Sequence, residues 1–338
     1  MSSPYVYIIT YFFKQLNFTY IDYIGDMMNK IDCEFYSLIK KLELMSKEEV
    51  YLNIKNRYLG LNEELKGNIE TFINRFSFWG KLNYINNNFE EIEMIVNFLK
   101  NNLTDLLVLY QNLKDYKSRK ILLAIIRNYY YYDFVMLNEV RDNCYKHYFD
   151  PDLVKTTKDT VYVDVGSYIG DSVDDFLDTY LEEYKKIYCY EVTYTSLAIL
   201  KDKYIFNEDI VIKNKALYDK NTTLSLNASS IDASTNTIND SKGNIEAITL
   251  DEDIKEKIDI IKMDIEGAEY KALEGCREHI KKDTPTLLIS IYHGFNDLIR
   301  IPKLIDSINK NYNFYLRYYG GNIFPTEIVL IAKKKKES

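Results

Sequence analysis

The chain has 338 residues, 46% hydrophobic and 28% charged, with a net charge of −8. This is the composition of a globular protein with an ample core, and at roughly 150 residues per domain the length suggests two domains. The negative balance argues against a nucleic-acid backbone as the main partner, because phosphate binding needs Lys and Arg clustered on one face.

The chain opens on an apolar run around Tyr5–Phe13 that lacks the basic flank and small-residue cleavage site of a secretory signal. The run is too short to span a bilayer, which takes about 20 apolar residues, so stable membrane insertion is not expected. Cys33, Cys144, Cys189 and Cys276 are widely spaced and form no Cys-x-x-Cys pair, which suits a reducing cytoplasm. Up to Asp150 the apolar residues recur at helical spacing, and no proline falls between Pro4 and Pro151. Residues 1–150 therefore read as a helical N-terminal domain. Ser46-Lys47-Glu48-Glu49 has the form of a capping box and predicts a helix start. Phe89, Ile92, Ile95, Val96 and Leu99 fall on one helix face, and Ile121, Leu122, Ile125, Ile126 and Tyr129 on another; both stripes read as core. This half offers no catalytic residue and is expected to cover the acceptor site or form a homodimer contact.

From Pro151 onward, short β-branched runs alternate with amphipathic helices, the pattern of a parallel sheet covered on both faces. Strands are expected at Thr160–Val165, Lys186–Glu191, Ile210–Leu217, Ile258–Met263, Thr286–Tyr292, Phe314–Tyr319 and Glu327–Lys333. Helices should follow the first, second, fourth and fifth. Gly320-Gly321-Asn322-Ile323-Phe324-Pro325 leaves no room for a helix, so the last two strands should be antiparallel neighbours. The fold class is thus α/β, a Rossmann-like seven-stranded sheet over residues 151–338. A Ser/Asn/Asp/Thr-rich loop between Thr222–Leu226 and Ile245–Leu250 reads as a flap near the ligand. The basic run Lys333-Lys334-Lys335-Lys336 reads as solvated.

Two strand ends carry the chemistry. Val161-Tyr162-Val163-Asp164-Val165-Gly166-Ser167-Tyr168-Ile169-Gly170-Asp171 is a strand ending in a glycine-bearing turn, and Ile260-Ile261-Lys262-Met263-Asp264-Ile265-Glu266-Gly267-Ala268-Glu269 is an apolar strand ending on two carboxylates and a glycine. In an open α/β sheet the ligand lies beyond the carboxyl ends of such strands. Gly166 and Gly170 are four apart, unlike the Gly-x-Gly-x-x-Gly loop of a nicotinamide site, and Asp164 beside them suits a cation better than a pyrophosphate. Glu191, about 20 residues beyond the glycines, is placed to take both ribose hydroxyls. Lys262 is expected to face away from Asp264 as supporting structure.

From about Tyr145 to Lys333 the chain resembles the FkbM family of S-adenosylmethionine-dependent methyltransferases, on the Asp-x-Gly-x-x-x-Gly loop at Asp164 and the Lys-Met-Asp-Ile-Glu-Gly-Ala-Glu run at Lys262. The resemblance implies S-adenosylmethionine as cofactor, bound by Asp164, Gly166, Ser167, Tyr168, Gly170, Asp171, Glu191 and Asp264, with Ala216 and Leu217 near the adenine. Ser167, Tyr168 and Val192 depart from the family's usual loop residues, which bears on loop shape and not on cofactor class. Methyl transfer to a hydroxyl needs a base. Asp264, Glu266 and His293 close adjacent strands, and because the family also has Tyr-His at Tyr292-His293, His293 is the leading candidate. These three could hold a divalent cation, but with no second close His or Asp no metal is assigned. The expected acceptor is a small molecule or glycan hydroxyl, with a glycan amino group as an alternative. A non-catalytic interaction module and a nicotinamide oxidoreductase are the competing classes.

Overall fold

Ser46 starts a helix by the reciprocal bonds its spacing predicts. Its hydroxyl accepts from the Glu49 N–H at 3.1 Å while Glu49 Oε2 accepts from the Ser46 N–H at 2.7 Å. The computed structural model describes residues 29–76, 78–181, 183–227, 237–239 and 243–336. The N-terminal apolar run and most of the polar loop after Leu226 lie outside the described residues.

The segment before Asp150 folds into α1 (Lys30–Leu44), α2 (Lys47–Leu59), α3 (Glu63–Arg75), α4 (Glu90–Asn101), α5 (Leu103–Asn112), α6 (Tyr116–Tyr131) and α7 (Phe134–Glu139). A small ribbon of β1 (Leu82–Asn83) and β2 (Asn88–Phe89) interrupts the helices after α3. Both expected apolar stripes are buried.

The later segment contains β3 (Val161–Val165), α8 (Asp171–Tyr180), β4 (Lys186–Tyr190), α9 (Tyr194–Lys203) and β5 (Ile210–Lys213). It continues through β6 (Ala216–Leu217), β7 (Thr222–Asn227), β8 (Thr237–Asn239), β9 (Ile245–Ile248) and α10 (Leu250–Asp253). Then come β10 (Ile260–Met263), α11 (Glu269–Glu274), α12 (Arg277–Lys282), β11 (Thr286–Ser290), α13 (Asp297–Ile308), β12 (Tyr312–Tyr318) and β13 (Ile328–Lys334). The seven-stranded sheet has the order β12-β13-β11-β10-β3-β4-β5, parallel from β11 to β5 and antiparallel where β13 inserts between β11 and β12.

The expected strand Ile210–Leu217 is two strands. Ile210–Lys213 pairs with β4, whereas Ala216 and Leu217 leave the main sheet and pair with Ala247 and Ile248 of β9. Lys215, between them, turns to the carboxylates of Glu246 and Asp253 at 3.0 and 3.2 Å. The runs flanking the polar loop become β7 and β9 of a second, four-stranded sheet.

Strand alternation divides the core. Val161, Val163 and Val165 face the core shared with the N-terminal helices, and Tyr162 faces the other one, with Phe176 and Ile187. The helical segment is fastened to the sheet edge by polar contacts as well. Buried Arg317 on β12 donates to Asp150 at 2.6 Å and to Asp115 at 3.0 Å, and the Leu316 N–H donates to Ser118 Oγ at 2.8 Å. Farther along, Trp79 Nε1 donates to the Tyr292 carbonyl at 3.0 Å, which brings the turn after α3 over the carboxyl end of β11.

Candidate active site

The switch point lies between β3 and β10, whose carboxyl ends open side by side into a cleft of about 400 Å³. Gly166 is held at φ +77°, and a Cβ there would stand 2.0 Å from the Asp264 carbonyl oxygen; only glycine lets the two strand ends approach this closely. Gly170, at φ +83°, turns the loop into α8.

The floor beneath the loop is an ion pair. Asp164 is fully buried, 3.0 Å from Lys262 Nζ, and accepts from Ser172 Oγ at 2.6 Å. Lys262 Nζ also donates to the Gly166 carbonyl at 2.8 Å. Burial pushes the Asp164 carboxyl up, against the pull of Lys262. Burial would lower Lys262, but the carboxylates of Asp164 and Asp264 outweigh it and keep the ammonium charged. Lys262 therefore does not face away from Asp264. Residues two apart on a strand share a face, and Lys262 is in register with Asp164 on the neighbouring strand.

The sequence-selected residues divide into cleft wall and support. Gly166, Tyr168, Asp171, Glu191, Ala216, Leu217, Asp264 and Glu266 line the cleft. Asp164 and Ser167 are fully buried behind it, and Ser167 Oγ donates to the Asp164 carbonyl at 2.9 Å. Gly170 is packed under Tyr204. These three shape the loop from behind. Glu191 receives the Tyr168 N–H on Oε2 at 2.9 Å, and the Val192 and Thr193 N–H groups on Oε1 at 2.8 and 2.7 Å. It thereby ties the loop after β3 to the end of β4.

His293 lies deep among the carboxylates that close the neighbouring strand. The ring is 2% exposed, with Nδ1 2.9 Å from Glu269 Oε1 and Nε2 3.4 Å from Asp264 Oδ1 and 3.7 Å from Glu266 Oε1. Burial would lower its pKa, but Glu269 and Glu266 outweigh that and hold it well above the ordinary histidine value. Both ring nitrogens of His293 are thus turned toward carboxylates. One donor atom each from Asp264, Glu269 and His293 lie within 4.8 Å of one another, a spacing a divalent cation could bridge. Burial pushes Asp264 up, but His293 and Lys262 more than offset it and keep its carboxyl below the usual range; Tyr148 donates to its Oδ2 at 2.6 Å.

Several cleft residues carried no signal in the sequence. His147 stacks on Tyr148 with centroids 3.9 Å apart, and its Nε2 lies 3.7 Å from Glu327 Oε2. Burial lowers its pKa to about 4, leaving the imidazole neutral. Burial and then Asp264 push Glu327 up to about 7. From the helical segment, Phe72, Phe76, Phe78 and Trp79 close the cleft with Arg75 at the rim.

This arrangement fits what comparison with known proteins shows. Residues 164–316 match the family model described as methyltransferase FkbM domain. This segment is therefore similar to an FkbM methyltransferase domain. Among solved structures, the FkbM methyltransferase of Methylobacillus flagellatus KT superposes with a TM-score of 0.59 at 22% identity, over 70% of this chain and 62% of that one. Just under two thirds of that protein's length is therefore represented here. An rRNA methylase from Streptococcus thermophilus gives a TM-score of 0.37 at 13% identity, covering 54% of this chain and 90% of that one. A Streptococcus mutans protein solved in complex with SAH gives 0.36 at 13%, covering 55% and 92%. No curated protein matches the chain. The cofactor expected of a methyltransferase domain of this family is S-adenosylmethionine. Its two cationic groups suit a cleft walled by Asp171, Glu191, Asp264 and Glu266, and the glycine cradle leaves the backbone bare where a ligand must approach. Among the described residues, no helix is long and apolar enough to cross a membrane.

Proposed function

We propose that the protein is a methyltransferase that moves the methyl group of S-adenosylmethionine onto a hydroxyl of a sugar, glycan precursor or related polar metabolite. The observation that carries this reading is the acid-walled cleft at the switch point, with Glu191 at one strand end and Asp264 and Glu266 at another. The cofactor supplies an electrophilic methyl on a cationic sulfur. The chain's part is to hold the acceptor oxygen in line with that methyl, exclude water and take the proton released as the oxygen–carbon bond forms. Glu191 and the loop around Gly166 hold the cofactor end. Phe72, Phe76 and Phe78 offer apolar faces to the carbon-bound side of a sugar ring, beside Asp264 and Glu266 for its hydroxyls. The site of action is the cytoplasm, as the spacing of the cysteines suggested. An amino acceptor is the second reading, favoured by the number of carboxylates facing the same end of the cleft.

The test is calorimetric titration with S-adenosylmethionine and, separately, NAD. Transfer of radiolabelled methyl to free, phosphorylated and nucleotide-linked hexoses and hexosamines follows. Saturable binding of S-adenosylmethionine alone, lost in Glu191→Ala, with label in a sugar ether, is the expected result. NAD binding or absence of transfer to every sugar would sink the proposal.

A further inference from the structure

His293 is buried with Nδ1 2.9 Å from Glu269, and Asp264 Oδ2 already accepts from Tyr148 at 2.6 Å, so the proton released by a hydroxyl acceptor needs a more accessible group. Another carboxylate lining the cleft provides one. Glu327 stands in the turn between β12 and β13, and its side chain is 38% exposed, against 22% for Asp264 and 16% for Glu266. It is the most accessible of the three carboxylates.

Its backbone is held in a conformation that side chains seldom adopt. Glu327 has φ +49°, and among the described non-glycine residues with positive φ, Tyr148 (+70°), Tyr168 (+47°) and Glu266 (+54°) also line the cleft. Such conformations persist where the surroundings over-determine them and gather at functional sites. The surroundings here are explicit. The Tyr319 N–H donates to the Glu327 carbonyl at 3.1 Å, and the Ile291 N–H to that of Ile328 at 3.0 Å. Gly320 lies so close that a Cβ would stand 2.4 Å from the Thr326 carbonyl oxygen. Both flanks of Glu327 are pinned, to the hairpin and to the end of β11, where Tyr292 and His293 emerge.

The facing imidazole has the complementary property. His147 Nε2 is buried without a hydrogen-bond partner, and 3.7 Å from Glu327 Oε2 is too long for a direct bond. A hydroxyl entering from the cleft meets a carboxylate on one side and a neutral imidazole on the other.

We propose that Glu327 is the catalytic base of the transfer, with His147 beside it as the positioning residue. This rests on the hydroxyl-methylation reading. As the acceptor oxygen bonds to the methyl carbon, the carbon–sulfur bond breaks with its electron pair on sulfur, which leaves as a neutral thioether. The hydroxyl proton passes to the Glu327 carboxylate and then to solvent through the cleft mouth. The groups that face Glu327 are Asp264 and Glu266, which favour its protonated form, and His293 and the Tyr292 hydroxyl, which oppose that, with His147 adjacent. Burial raises the carboxyl most, and with these neighbours it comes to about 7, where a general base is most effective.

The experiment compares wild type, Glu327→Gln and Glu327→Asp in the transfer assay with the hexose and hexosamine panel, from pH 5.5 to 9, with SAH affinity and melting temperature measured alongside. Glu327→Gln should lower kcat by about 100-fold or more, the usual range for a general base. SAH affinity and melting temperature should hold, and Glu327→Asp should restore part of the rate. Wild-type kcat/KM should rise through about pH 7 and level off, and Glu327→Gln should lack that rise. A Glu327→Gln rate within threefold of wild type, or an unchanged pH profile, overturns this assignment and leaves the function standing. No transfer by wild type, or transfer confined to amino groups, overturns the hydroxyl reading and this assignment together.

Discussion

Replacing Lys262 with methionine should test whether the loop of the cleft depends on the ion pair beneath it. Lys262 is 3% exposed and Asp164 0%, with 3.0 Å between their charged atoms, so neither charge can turn to solvent when its partner is lost. Methionine keeps the length of the stem and removes the ammonium. Asp164 would retain only the Ser172 hydroxyl, and the Gly166 carbonyl would lose its donor. Removing one partner of a buried pair costs about 3–5 kcal/mol, because an uncompensated charge stays behind. A neutral second change should recover much of it, so Lys262→Met/Asp164→Asn should be less damaging than the sum of the single variants by about 2 kcal/mol. The deficit has a pH signature. Without Lys262 the Asp164 carboxyl, already raised by burial, rises further; a raised acid contributes stability at low pH that is lost as pH climbs through its folded value. Lys262→Met should thus approach wild type in acid and fall away from it toward neutrality. Urea unfolding of the four proteins at pH 5 and pH 7.5 gives both quantities. A Lys262→Met cost below 1 kcal/mol at pH 7.5, or strict additivity in the double variant, would refute the argument.

Glu91 of α4 is fully buried with both carboxylate oxygens unpartnered, and burial raises its pKa to about 8. Its neutral form favours folding below the ordinary carboxyl pKa, and that contribution is lost as pH rises through about 8, a change of about 3 kcal/mol between pH 5 and pH 7. Glu91→Met should flatten this slope and unfold at higher urea than wild type at pH 8; equal slopes would show that the carboxyl is not in fact shielded. At Gly166, alanine brings both a strained φ and a Cβ 2.0 Å from the Asp264 carbonyl oxygen, so Gly166→Ala should weaken SAH binding at least about tenfold by calorimetry. Undiminished binding would mean that the two strand ends can separate without affecting the cofactor.

How far the sequence could be read depended on whether a property was local. The capping box at Ser46 and the helix faces around Ile92 and Ile125 are set by neighbours within a few residues, and the structure has them where spacing placed them, while the strands other than Ile210–Leu217 lie within two residues of their expected bounds. The break in Ile210–Leu217 escaped because β-branched residues continue across it, while the partners that separate the halves, β4 and β9, come from distant parts of the chain. Lys262 was legible and misread: its spacing from Asp264 already put both on one face. For His293, sequence gave the strand end but not the placement of Glu269 and Glu266 around the ring, whose charge raises its pKa against burial. His147, Glu327 and the aromatic residues after α3 join the cleft only through tertiary packing, so nothing in their own neighbourhoods distinguished them.

The insertion of β13 between β11 and β12 affects how the molecule is made. β13 follows both of its sheet neighbours in the chain yet lies between them, and until residues 328–334 emerge, β11 presents a bare row of N–H and C=O groups. Synthesis therefore passes through a stage with the parallel strands formed and one apolar edge open to any other unfinished chain. Closing that edge also delivers Glu327 to the cleft, so the step that removes the aggregation hazard is the step that completes the cleft.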